Sequence, residues 1–233
     1  MALDLILTSF LRAIGQIGDR RFRRVLWLGI ALTIALLVAA YAALLWLVDY
    51  LAGPDAYLDV LGRVEWVGDL LSFSSAIFML VLSFFLMIPV ASAITSMFLD
   101  DVAQAVEDRH YPTLPSKPRV PFFDALRDTV SFLGILIAAN TVAFVLYVFI
   151  PPASPFIFFG LNGFLLGREY FQLAAMRRIG REAARELRSQ HLPTIWAAGV
   201  LMALPLVVPI LNLVIPILGA ATFTHIFHGL NRS

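Results

Sequence analysis

Gly18-Asp19-Arg20-Arg21 is the first stretch of the chain whose residue types suit chemistry. Two adjacent arginines offer forked N–H donors and a permanent charge, which match a tetrahedral oxyanion such as sulfate or phosphate. A glycine there permits a tight turn, and the unpaired amides opening a following helix favour an anion. Asp19 works against this, because its carboxylate suits the helix cap itself and would exclude the anion. Arginines beside a first membrane span are also an ordinary topology signal. A second candidate is Arg168-Glu169, which follows an apolar half-helix, with Asp100, Asp101, Glu107 and Arg109 as candidate partners along an ion path or interface. Ionisable residues at membrane depth are costly and face a partner or water, unless they snorkel to the interface. A third set is Asn212, Thr222, Thr224, His225 and His228. Asn212 suits a hairpin turn, and two histidines three apart share a helical face but lack the carboxylate that would argue for a metal.

Positioning these residues falls to an unusually apolar chain of 233 residues, 60% hydrophobic and 14% charged. A soluble domain averages about 25% charged residues, so the composition points to an integral membrane protein. Four stretches carry no Asp, Glu, Lys or Arg: 25–48, 70–99, 129–167 and 189–231. A helix needs about 20 apolar residues to cross a bilayer. The first two stretches each hold one long span. The last two are cut by Pro151, Pro152 and Pro155, and by Pro193, Pro205, Pro209 and Pro216, into pieces that read as re-entrant hairpins. All but one of the 17 basic residues fall on one side in this topology, and that side is cytoplasmic. Six full spans would give the same sides, so charge does not separate the two arrangements.

The expected fold is an all-α integral membrane protein forming a single domain over 1–233. An amphipathic helix at 1–17 carries Asp4, Thr8, Arg12 and Gln16 on one side, and Leu3, Ile6, Leu7, Phe10, Ile14 and Ile17 on the other. It is expected to be retained, because the arginines and the apolar run before Ala40-Tyr41-Ala42 fit a cleavable signal poorly. Long transmembrane helices follow at 20–50 and 66–108, then a part-way hairpin at 122–167. An amphipathic cytoplasmic helix at 168–190 carries the stripe Phe171, Ala175, Ile179, Ala183 and Leu187, with its arginines solvated and Glu182 paired to Arg178 and Arg185. A second part-way hairpin spans 194–228, and four prolines make 111–121 an extended linker. With no cysteine, nucleophile elbow, phosphate loop or HExxH, the chain is not expected to be an enzyme or to bind a metal or cofactor.

Gly167-Arg168-Glu169-Tyr170-Phe171, and the run from Pro209 through Asn212, Pro216, Ala220 and Ala221 to Thr224-His225, resemble the CysZ family of bacterial sulfate permeases. That family is related to the etoposide-induced membrane proteins, and the resemblance covers nearly the whole chain. It implies sulfate uptake across the bacterial inner membrane for cysteine biosynthesis, by a homo-oligomer with cytoplasmic termini. The implied partners are sulfate or a related oxyanion and the lipid bilayer, not nucleic acid. It places sulfate at Gly18, Asp19, Arg20 and Arg21, although Asp19 stands where the family tends to carry an apolar residue and Leu26 where a proline often follows. The other reading is a hairpin-containing membrane scaffold that shapes bilayer or recruits partners without transport.

Overall fold

The computed structural model describes residues 2–52, 98–115 and 122–232. Eight α-helices lie within these residues: α1 (Ala2–Gly15), α2 (Arg20–Ala52), α3 (Leu99–His110), α4 (Phe122–Phe149), α5 (Ser154–Ile179), α6 (Arg181–Gln190), α7 (Leu192–Ala203) and α8 (Ile215–Leu230). Most of the expected helix at 66–108, and the linker beyond Pro115, lie outside the described residues.

α8 is the centre of the fold. Its sequence, IPILGAATFTHIFHGL, has no charged residue and is apolar around its whole circumference, a pattern that suits a helix covered on all sides. α1, α3 and α5 all pack on it, and Ile217, Ala220, Ala221, Phe223, Ile226 and Phe227 lie in the shared core. Much of the Gly167–Phe171 signature packs here: Tyr170 and Phe171 are buried, 6.1 Å from Phe223 and 6.3 Å from Phe227 between ring centres.

α5 also packs along α7 through small residues. A methyl group on Gly163 would lie 2.7 Å from the Val200 backbone nitrogen, and one on Gly167 would lie 2.7 Å from the Ile195 carbonyl oxygen. A methyl on Gly199 would collide with the Gly163 carbonyl. Small residues let helix backbones approach closely where lipid offers no hydrophobic drive between helices.

One helix runs unbroken from Ser154 through Arg168 and Glu169 to Ile179, so the segment beginning at 168 continues the helix that leaves the first hairpin. The break falls at Gly180, whose φ of 78° and ψ of 175° cannot continue a helix and suit glycine alone. This separates α6 from the stripe assigned to it: Ala184 is buried, while Ala183 is exposed. The prolines act as expected on the connections. A 3-10 turn at Pro151–Ala153 joins α4 to α5, and turns at Leu204–Val207 and Pro209–Leu213 join α7 to α8.

The face that α1 turns inward takes residues from both its apolar and its polar side. Ile6, Ser9, Ala13 and Gln16 are buried, whereas Leu3, Leu7, Leu11 and Ile14 are more than half exposed. Among the described residues no single helix passes as long and apolar enough to cross a membrane. α6 with the segment Leu192–Val207 passes as a pair bent by 88°, and Gly134–Phe149 and Ile215–Leu230 are shorter apolar helices. Gly199→Ala should therefore lower stability by about 1–3 kcal/mol through overpacking, whereas Gly18→Ala, whose added methyl meets nothing within 4 Å, should stay within about 0.5 kcal/mol. Thermal unfolding of the two purified variants in detergent checks this.

Candidate functional site

α3 begins where the charge-free stretch 70–99 ends, and Asp100, Asp101, Glu107, Asp108 and Arg109 place it outside an apolar bilayer core. Its inner face carries Glu107, whose side chain is only 2% exposed. Arg178, near the end of α5, grips this carboxylate in a fork: Nε donates to Oε1 at 2.8 Å and Nη2 to Oε2 at 2.7 Å. His228 Nε2 lies 3.2 Å from Oε1. An ionised carboxylate can only accept, so that nitrogen carries the proton. Arg177 Nη2 lies 3.5 Å from Oε2. Burial alone would raise the Glu107 pKa, but the bonds from His228 and Arg178 and the charges of Arg177 and Arg178 outweigh it and hold it at about 2. One carboxylate thus ties together α3, α5 and α8.

The cluster continues toward the arginine turn. Arg177 Nη2 donates to Gln104 Oε1 at 3.0 Å, Gln104 Nε2 donates to Asp108 Oδ1 at 2.7 Å, and Arg21 Nη1 donates to Asp108 Oδ2. Arg177 Nε also lies 2.8 Å from Asp100 Oδ1, in ionic contact without hydrogen-bond alignment. The hydrogen bond to Arg21 is the main cause that holds the Asp108 carboxyl below its usual pKa, and the same bond raises that of Arg21. A chain of polar contacts therefore leads from the buried carboxylate to the start of α2.

At the turn itself, Asp19 caps α2: its Oδ1 accepts the Arg21 backbone N–H at 2.8 Å. Gln16, on the polar side of α1, is buried and donates to the Ala105 carbonyl at 3.1 Å, which pins the turn against α3. Gly18 does not use a left-handed conformation; Gly180 alone has a positive φ among the described residues. Arg20 and Arg21 are exposed. Asp19 thus engages the backbone N–H of Arg21, and Asp108 engages one of its guanidinium nitrogens.

The structure disperses the remaining candidates. Arg109 is exposed at the end of α3. Arg168 and Glu169 are half-buried within α5, neither engaging Glu107, and no hydrogen bond or ion pair joins Glu169 to the described residues. Asn212 is half-buried in the turn Pro209–Leu213. His225 Nδ1 is 3.0 Å from the Tyr111 hydroxyl, and its ring lies edge-on to His110 at 4.7 Å. Arg178 holds Glu107 instead of pairing with Glu182, which lies beyond the break at Gly180 on α6. Arg177, Arg178, Gln104 and Asp108 belong to the cluster but were not singled out by sequence; their signal is the match between an acidic helix at 99–110 and an arginine-rich one at 168–188.

A family model described as "Sulfate transporter CysZ/Etoposide-induced protein 2.4" matches residues 9–216, a span that includes the arginine turn, α3 and all of α5. No curated protein and no solved structure matches the chain significantly.

Replacing Glu107 with Gln takes the counter-charge from the half-buried Arg178 and one of two from the buried Arg177, and should cost roughly 3–5 kcal/mol. Because the folded pKa is depressed, the stabilisation is present above the unfolded value of 4.5 and is lost as pH falls from there toward about 2. Thermal unfolding across that window should show a fall in wild type that is much flatter in Glu107→Gln.

Proposed function

The chain belongs to the sulfate transporter CysZ/etoposide-induced protein family, a family of membrane transporters, and from that premise we propose that it is a sulfate or related oxyanion permease. It sits in the bacterial inner membrane with both termini cytoplasmic, and it supplies sulfate for cysteine biosynthesis. The observation that carries this reading is the family match over 9–216, which is long enough to include the helices that hold the arginine turn.

Several features support the membrane setting. Leu3, Leu7, Leu11 and Ile14 form an outward row on α1, and Ile137, Val142, Phe144, Val148 and Phe149 expose apolar surface on α4. Extended apolar patches of this kind mark contact with lipid or partners. The charge-free residues 129–149 of α4 reach about 32 Å at 1.5 Å per residue, close to the thickness of a hydrocarbon core of about 30 Å. α2 runs for 33 residues, and its stretch 25–48 carries no charge.

Transport needs an anion to bind well enough to enter and weakly enough to leave. Sulfate approaches Arg20 and Arg21 and takes the donors now engaged by Asp19 and Asp108. Exchange between the chain's own carboxylates and the passing anion keeps the site from becoming a trap. A homo-oligomer supplies the rest of the path. Radiolabelled sulfate uptake into liposomes containing the purified protein tests this. The Arg20→Ala/Arg21→Ala variant should lose most uptake, while Asp19→Asn, which keeps a capping oxygen but removes the charge, should raise uptake at low sulfate. A folded wild type that moves no oxyanion would overturn the reading.

A further inference from the structure

A cluster of ionisable side chains at the end of α3 faces α1 and α8, and neither the arginine turn nor the grip on Glu107 uses most of it. The Tyr111 hydroxyl lies 3.0 Å from His225 Nδ1. The His110 ring stands edge-on to that of His225 at 4.7 Å, and the Tyr111 ring lies 4.2 Å from that of His228. From α1, Arg12 donates a hydrogen bond to the Tyr111 hydroxyl. Arg232, just beyond α8, lies 5.3 Å over the Tyr111 ring. α1 packs closely on α8, and a methyl group on Gly229 would collide with Leu5.

These bonds fix where the protons sit. Arginine can only donate, so the Tyr111 oxygen accepts from Arg12 and its O–H is free to donate to His225 Nδ1. The ring proton of His225 is then on Nε2, which is buried and has no hydrogen-bond partner among the described residues. A second proton would have to go on Nδ1, where the hydroxyl hydrogen already points, and it would charge a side chain only 2% exposed. His110 Nε2 is likewise buried without a partner among the described residues. Burial and the charges of Arg109 and Arg12 hold the His110 imidazole below its usual 6.5.

The groups facing the two rings are mostly cationic. Arg12 reaches both from α1, Arg109 adjoins His110 on α3, and His228 faces His225 along α8. Glu107, the carboxylate of α3 nearest the cluster, is turned to Arg178, Arg177 and His228. A proton taken up by His110 or His225 therefore meets repulsion and no free counter-charge among the described residues.

We propose that His110, Tyr111 and His225 form a proton-sensitive latch, which holds α1 against α3 and α8 while both imidazoles are neutral and releases it on acidification. A histidine whose pKa is depressed by docking stabilises the docked state fully above 6.5, and that stabilisation is lost as pH falls from there through the lowered value. Glu107, held at about 2, keeps its charge over this range, so α3, α5 and α8 stay tied while α1 lets go. The arginine turn follows directly on α1, and release of α1 loosens the start of α2. The inference does not depend on the transport reading.

The chain has no cysteine, so one introduced thiol reports on α1. Ser9→Cys places it on the packed face, where Ser9 is 2% exposed, and Leu11→Cys on the outward face, where Leu11 is 68% exposed. The ratio of their methanethiosulfonate labelling rates in the purified full chain corrects for the pH dependence of thiol reactivity. On going from about pH 7.5 to about pH 5.5 this ratio should rise by roughly threefold or more. With His110→Gln/His225→Gln added, it should change by less than about 1.5-fold. If the pair disturbs packing at the higher pH, His110→Gln alone should give a smaller rise than the unaltered histidines. His191→Gln, outside the cluster, should leave the rise intact. A flat ratio with all histidines present, a rise that survives their replacement, or one equally removed by His191→Gln would overturn the proposal.

Discussion

A carboxylate shielded from water can stay ionised only when donors surround it, and Glu107 meets this condition with groups from two other helices. Arg178 and Arg177 come from the end of α5 and His228 from the end of α8. Each partner has to be held in place by its own helix, so the packing of α3, α5 and α8 and the charge cluster stabilise one another. Removing one member strands the others as uncompensated charge, so the loss of any partner is strongly destabilising. The small-residue approach of α7 at Gly163 and Gly167 holds α5 further toward its start.

The arginine turn inherits its position from this cluster. Gln104 and Asp108 relay contacts from Arg177 outward to Arg21, and Gln16 fastens the turn to α3. The consequence is chemical as well as structural. Positive groups arrive at the turn with carboxylates already beside them, so the site is close to charge-balanced before any anion enters. Exposed pairs such as Arg21–Asp108 contribute only about 0–1 kcal/mol, which makes them easy to exchange. Under the proposed transport reading, such a balance favours passage over retention.

Much of the helical plan is legible in the sequence because prolines mark the breaks and missing charges mark the apolar stretches. Two features are less legible, for physical reasons. In α1 the apolar stripe identifies a face that avoids water, but lipid and protein core both satisfy it. The small residues Ser9 and Ala13, together with Gln16, mark the packed face instead. In the 168–190 segment the four-residue stripe continues across Gly180, and periodicity does not reveal that this residue takes a conformation open to glycine alone. The site is legible only as complementary charge. An acidic helix and an arginine-rich one are visible from composition, whereas the grip of Arg178 on Glu107, in place of a local pair with Glu182, depends on which faces the fold brings together.

The central claim is that sulfate competes with the chain's own carboxylates for the arginines of the turn. Sulfate affinity of the purified protein, measured by isothermal titration for wild type and for Asp108→Asn, tests it most directly. Releasing Arg21 from its partner should tighten sulfate binding by roughly two- to fivefold, the range set by an exposed pair. Binding that is unchanged or weaker in Asp108→Asn would contradict the competition and would mean that the carboxylate positions the site instead of opposing its ligand.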